Sequence, residues 1–107
     1  MEIPDDIKRI LDDYLQKLGK KIKIEAVYLF GSTARGERLD TSDIDLLIVS
    51  PSVEGMWVDE RIRIAYRIWR YSGLTAHIFL LTPNEFKQRV NESVALRNAQ
   101  KYWIRIS

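Results

Sequence analysis

Apolar side chains at Ile7, Ile10, Leu11, Tyr14, Leu15 and Leu18 recur every three or four residues, the spacing that turns one face of a helix toward a core. Pro4 suits the first helical position, Asp5 and Asp6 suit the positive end of the helix dipole, and Gly19 can close the helix. The pattern then changes. Residues 22–30 are rich in β-branched and aromatic side chains and end in the apolar run AVYLF, and residues 44–49 read IDLLIV ahead of Pro51; both predict strands buried on two faces. Between them, residues 33–37 leave room for one or two helical turns. Helical spacing returns over residues 56–72, with Val58, Ile62, Ala65, Tyr66 and Trp69 on the predicted inner face and Gly73 as the stop. Residues 74–81 predict a third strand. Thr82-Pro83-Asn84-Glu85 is a capping box, so a further helix starts there with Phe86 and Val90 turned inward. A last helix is predicted over residues 93–101, with YWIRIS as a closing edge strand. The order α-β-α-β-α-β-α-α-β predicts an α/β (α+β) fold in which at least some strands pair in parallel.

The chain's 107 residues suffice for one compact domain, taken as residues 1–107, and are too few for two. With 46% hydrophobic and 30% charged residues, the composition is that of a globular protein and excludes disorder. The absence of cysteine excludes a disulfide framework and a zinc–thiolate site. The start, MEIPDDIKRIL, is charged and lacks an apolar leader, and no apolar run approaches the roughly 20 residues of a membrane span, so a cytoplasmic protein without membrane contact is expected. Seventeen Lys and Arg against fifteen Asp and Glu give a formal charge of +2, too mild by itself to indicate a nucleic-acid partner. Arg63, Arg67 and Arg70 share one helical face; such a stripe is most often solvated surface and otherwise meets an acidic partner or a polyanion.

Candidate chemistry concentrates in LFGSTARGERLDTSDIDLLIV, residues 29–49. A turn at Gly31 lets backbone approach a ligand without a Cβ in the way, and Ser32 then opens a short segment whose N–H groups and hydroxyl can meet an anion such as phosphate. Asp43 and Asp45 are two positions apart, which the period of a strand places on one side, where their oxygens can hold hard divalent cations. Without a cation the two charges would repel. Taken alone, the Asp pair is more often a turn residue held through Ser42 and an exposed acid at the strand mouth; a Gly-Ser turn at the end of one strand joined to such a pair on the next favours the ligand reading. A P-loop is excluded, because GxxxxGK[ST] is missing.

The run GSTARGERLDTSDIDLLIV resembles the signature of the DNA polymerase β-like nucleotidyltransferase superfamily in its minimal stand-alone form, the MNT domain, at Gly31, Ser32, Ala34, Arg35, Gly36, Ser42, Asp43, Asp45 and Leu46. LTPNEF and AQKYWIRI resemble later parts of the same domain. The resemblance implies a short mixed sheet with helices packed against it and a site at the strand ends. It implies that Gly31 and Ser32, with Arg35 and Ser42, bind the phosphates of a nucleoside triphosphate, ATP being the expected one, and that Asp43 and Asp45 bind Mg2+, with Mn2+ as an alternative. The implied reaction moves a nucleoside monophosphate from an NTP to a hydroxyl and releases pyrophosphate.

Full members of that superfamily carry a third carboxylate on the next strand. Here the matching position is His77, the only histidine in the chain. Imidazole is a poor magnesium ligand but takes a proton near neutral pH and suits manganese, cobalt or zinc, so His77 can keep a base role while weakening a second metal. Its alternative is a structural histidine on a strand face. Minimal domains of this kind often pair with a small helical HEPN protein, so the resemblance implies the antitoxin half of a HEPN/MNT toxin–antitoxin pair that modifies a hydroxyl on its partner. The alternative is a catalytically weakened module that neutralises the toxin by binding. Trp57 or the strand around Trp103 offers a surface for homo-oligomers.

Overall fold

In the computed structural model, residues 5–30, 44–70, 76–92 and 104–105 are described. The first helix, α1, spans Asp5–Leu18, with both acids in its first turn and Ile7, Leu11, Tyr14 and Leu18 buried. These four positions form the stripe that the spacing predicts. The Gly19 N–H donates to the Leu15 carbonyl at 2.8 Å, closing the last turn. On the exposed side, Lys17 and Asp13 pair at 2.9 Å one helical turn apart, an interaction worth a few tenths of a kcal/mol, about 0.3.

Strand β1 covers Ala26–Phe30 and strand β2 Ile44–Val49, paired antiparallel with Ala26 opposite Val49 and Phe30 opposite Asp45. The predicted strand over residues 22–30 is therefore shorter at its start. The Lys21 and Ile22 N–H groups still turn back to the Leu18 carbonyl, and the first cross-strand hydrogen bond is Glu25 N–H to the Val49 carbonyl at 2.8 Å. Pro51–Val53 forms a 3-10 turn capped by the Ser50 hydroxyl, and Gly55, at φ 79°, takes the left-handed conformation that other residues adopt only with strain.

Helix α2 spans Val58–Ile68, strand β3 Ala76–Leu81 and helix α3 Pro83–Glu92. A two-residue strand, β4, at Ile104–Arg105 pairs antiparallel with β1. The sheet order is β3-β2-β1-β4, with β2 and β3 parallel and the other pairs antiparallel, so the sheet is mixed and the fold is of the α+β kind. A parallel pair needs a crossover, and α2 is that crossover. The calls over residues 33–37 and 93–101 lie outside the described residues.

One sheet face carries Val27, Leu29, Ile44, Leu46, Ile48, Ile78 and Leu80 into the main core, where α1 and α2 cover them. Tyr14 ties the two helices together: its hydroxyl donates to the Ala65 carbonyl at 2.8 Å, and its ring meets Trp69 edge-on at 5.1 Å. The other face, with Ala26, Leu47, Val49 and Leu81, is covered by α3, whose Phe86 stacks on Tyr28 at 5.3 Å.

The inner face of α2 differs from the predicted one. Ala65 is buried and Ile64, Ile68 and Trp69 pack on the core, whereas Val58, Ile62 and Tyr66 are 66%, 48% and 37% exposed. The cause is Arg61, which points at the sheet. Its Nε donates to the Met56 carbonyl, and its Nη1 donates to the Leu80 carbonyl at 3.2 Å and to Glu85 Oε1 at 2.6 Å. Satisfying that guanidinium against the β3 edge rotates the helix relative to its apolar stripe.

Candidate functional site

The strand register decides which sequence-predicted residues meet. β2 and β3 run parallel with Asp45 directly beside His77, and β1 runs antiparallel to β2 with Phe30 beside Asp45. Side chains alternate across a sheet, so Asp45 and His77 project from the same face, on backbones about 4.8 Å apart. That is the face that α3 covers further along the strands. Asp45 is half-buried and His77 is exposed. His77, aligned from LTPNEF, is a register neighbour of Asp45 of the motif.

Burial follows from the same alternation. Ile44 and Leu46, which flank Asp45, are at most 1% exposed and anchor β2 in the main core, as do Ala76 and Ile78 on either side of His77. The two polar side chains are therefore held by strands whose neighbouring positions cannot move without opening the core. Gly31, Ser32, Arg35, Ser42 and Asp43 lie outside the described residues. Phe30 is the last residue of β1 and Ile44 the first of β2, so the motif joins the two strands at the end of the sheet that carries Asp45 and His77.

Among the described residues no group of three or more His, Cys, Asp or Glu side chains converges on one point. Asp45 supplies a carboxylate of the kind a hard divalent cation takes, whereas the imidazole of His77 beside it is a poor donor to magnesium and is better suited to accepting a proton.

Beside His77, along the outer edge of β3, an open cleft of about 460 Å3 is lined by Trp57, Ile62, Tyr66, His77, Phe79 and Arg61, among others. Its polar groups are already engaged with the strand edge. The Tyr66 hydroxyl accepts from the Ile78 N–H at 2.8 Å, while Arg61 takes the Leu80 carbonyl. At the far end, Glu85 receives the Thr82 N–H at 2.8 Å as well as Arg61, and the Glu85 N–H donates to the Thr82 hydroxyl at 3.1 Å. This is the predicted capping box, with its acid also serving a second helix. Burial pushes the Glu85 carboxyl up, but hydrogen bonds from Arg61 and Thr82 and the charge of Arg61 outweigh it and hold the group below the usual carboxylate range. The helical period of residues 56–72 hid this cleft, because it assigned Val58, Ile62 and Tyr66 to the core, and Arg61 is one of several charged residues on α2 with nothing in the sequence to mark it as the one that turns to the sheet.

Residues 7–102 match the family model described as a nucleotidyltransferase domain. The chain belongs to that family. Similar proteins include two of Methanocaldococcus jannaschii provisionally named protein adenylyltransferases. MJ1305 is 32% identical over 85 residues, 74% of this chain and 57% of that protein. MJ0126 is 44% identical over 48 residues, 45% of this chain and 49% of that protein. The matched segment thus spans about half the length of those relatives. Among solved structures, a crystal structure from Sulfolobus solfataricus, of a protein provisionally described as a nucleotidyltransferase, aligns with a TM-score of 0.60 and 31% identity over 75% of this chain and 70% of that one. The nucleotidyltransferase fold is therefore shared over three quarters of this chain. Among the described residues, no helix is long and apolar enough to cross a membrane.

Proposed function

We propose that this nucleotidyltransferase-family chain transfers a nucleoside monophosphate, from ATP in the first instance, to a hydroxyl on a partner protein in the cytoplasm. The observation that carries the reading is the register pair Asp45–His77 at the sheet end that the GS…DxD motif joins.

In the proposed step the acceptor oxygen attacks the α-phosphorus, the new P–O bond forms as the bond to the β-phosphate oxygen breaks, and pyrophosphate leaves. Gly31 and Ser32, with Arg35 and Ser42, hold the phosphates, and Asp43 and Asp45 hold Mg2+ or Mn2+. The cation, when bound, neutralises charge on the triphosphate and on the leaving group. His77 takes the proton from the attacking hydroxyl, a role that imidazole fills at neutral pH. The names of the methanogen proteins support an adenylyl group and a protein acceptor. A helical HEPN partner in a toxin–antitoxin pair is the acceptor that the MNT resemblance favours.

The test incubates the protein with α-labelled ATP, Mg2+ or Mn2+, and the product of the neighbouring gene. Label on the partner, lost in Asp45→Asn, supports the reading. Equal labelling by Asp45→Asn and wild type, or none with either metal, refutes it. The second reading is favoured by the imidazole at position 77, which weakens a magnesium site: the chain neutralises its partner by binding alone. Stoichiometric complex formation that silences the partner without any label transfer identifies that case.

A further inference from the structure

A second cleft, of about 450 Å3, lies where α1 and α2 both end, and it is lined by Lys17, Lys20, Lys21, Arg67, Arg70 and Ile68. Five of its six lining residues are cationic. They come from two separate stretches of chain, which the sequence pattern did not reveal as neighbours. Arg67 and Arg70 belong to the stripe that the helical spacing assigns mostly to solvated surface.

Cations near helix C-termini are ordinarily explained by the dipole, and the magnitudes show how far that goes here. Each helix end carries roughly half a negative charge, so two ends offset about one cation. Asp13 pairs with Lys17 and offsets a second. About three of the five charges remain. Among the described residues no carboxylate forms an ion pair with Lys20, Lys21, Arg67 or Arg70. Arg70 Nε donates to the Arg67 carbonyl at 3.1 Å, which uses one of five guanidinium N–H groups and fixes the side chain beside the cleft. Such a surface repels itself unless an anion occupies it.

We propose that this cleft binds the phosphodiester backbone of a nucleic acid. Arg63 and Arg67 are one turn apart on α2 and Arg70 lies two residues beyond its end; all three are exposed, so Arg63 continues the cationic surface from the cleft along the helix. The half-buried Ile68 provides an apolar floor between the cations, which suits a chain that carries a ribose and base beside every charge. An acidic peptide offers few apolar atoms between its carboxylates. The mild net charge of +2 conceals the site, because the compensating acids lie elsewhere in the chain.

Fluorescence anisotropy with a labelled 20-nucleotide oligouridine, from 50 to 200 mM NaCl, tests the proposal on the intact chain. With three to five phosphates engaged, the log–log salt slope is expected between about −2 and −3.5. Lys20→Glu with Arg67→Glu is expected to weaken binding at 50 mM salt at least tenfold and to reduce the slope by about 1.4. Lys20→Ala with Arg67→Ala should weaken it less, and Lys87→Glu on α3 should leave it unchanged. Circular dichroism confirms that each variant is folded. No binding at 50 mM salt, a flat salt dependence, or full binding by both cleft variants overturns the proposal. So does equal competition by polyglutamate at the same charge concentration, which would assign the cleft to an acidic protein.

Discussion

Replacing Arg61 by methionine keeps the apolar stem of the side chain and deletes every bond its guanidinium makes to β3, α3 and the start of α2. The bonds to the Met56 and Leu80 carbonyls are both 3.2 Å and so contribute about 1 kcal/mol each. The 2.6 Å bond to Glu85 is charge-assisted, but the Glu85 side chain is 37% exposed, so solvent screening reduces it to about 1 kcal/mol. The expected loss is about 3 kcal/mol, a large share of the 5–15 kcal/mol typical of a domain, and it should lower Tm by about 15 °C. Calorimetry and urea titration of Arg61→Met, Glu85→Gln and the double variant isolate the pair, whose coupling should be about 1 kcal/mol at pH 7. Because the Glu85 carboxyl is held low in the folded state, its contribution is fully present above the unfolded value, near 4.3, and is lost as pH falls through the lower folded value. The coupling should therefore be constant from pH 7 to 5 and shrink by pH 3. A loss below 1 kcal/mol for Arg61→Met, or a coupling unchanged at pH 3, would refute the account of Arg61 as the residue that orients α2.

Tyr66→Phe removes the acceptor for the Ile78 N–H, so it should cost about 1 kcal/mol and speed hydrogen exchange at that one amide, as NMR would resolve. Thr82→Ala deletes the capping hydroxyl of α3 and should cost about 1 kcal/mol in urea unfolding. Ile48→Ala opens a cavity in a fully buried position and should cost about 2–5 kcal/mol by the same method. His77→Asp places a third carboxylate beside Asp45, so on the proposed chemistry calorimetric Mg2+ affinity in the presence of a non-hydrolysable ATP analogue should rise about tenfold.

The elements whose residues bury one periodic stripe were legible in the sequence. α1 ends at Leu18, just before the glycine expected to close it, and IDLLIV is β2 residue for residue. The capping box at Thr82 was legible because its bonds join residues three apart. What depends on contacts distant in sequence was not. Periodicity placed Ile62 and Tyr66 in the core, since it cannot foresee that a guanidinium at Arg61 will claim the strand edge. Residues 22–24 have strand-like side chains, yet the turn that leaves α1 takes the Ile22 N–H. For the candidate site, the types Asp45 and His77 were legible from their place in a motif and an alignment. Their adjacency was not, because register is a property of strand pairing. The basic cleft escaped for the same reason, its lysines and arginines being about 50 positions apart along the chain.

The position of β2 between an antiparallel and a parallel neighbour has a consequence for how the site comes into being. β1 and β2 are consecutive antiparallel strands, whereas β3 pairs with β2 across the α2 crossover, a longer loop to close. Loop closure therefore favours pairing of Asp45 with β1 before its pairing with His77. A partly opened chain that has released α2 and β3 keeps the β1–β2 pair yet lacks the imidazole, so loss of any His77-dependent activity should precede loss of the β1–β2 amides' protection in a denaturant series. On the proposed chemistry, a molecule in which the crossover has not closed presents Asp45 without His77 and would be inactive until β3 docks.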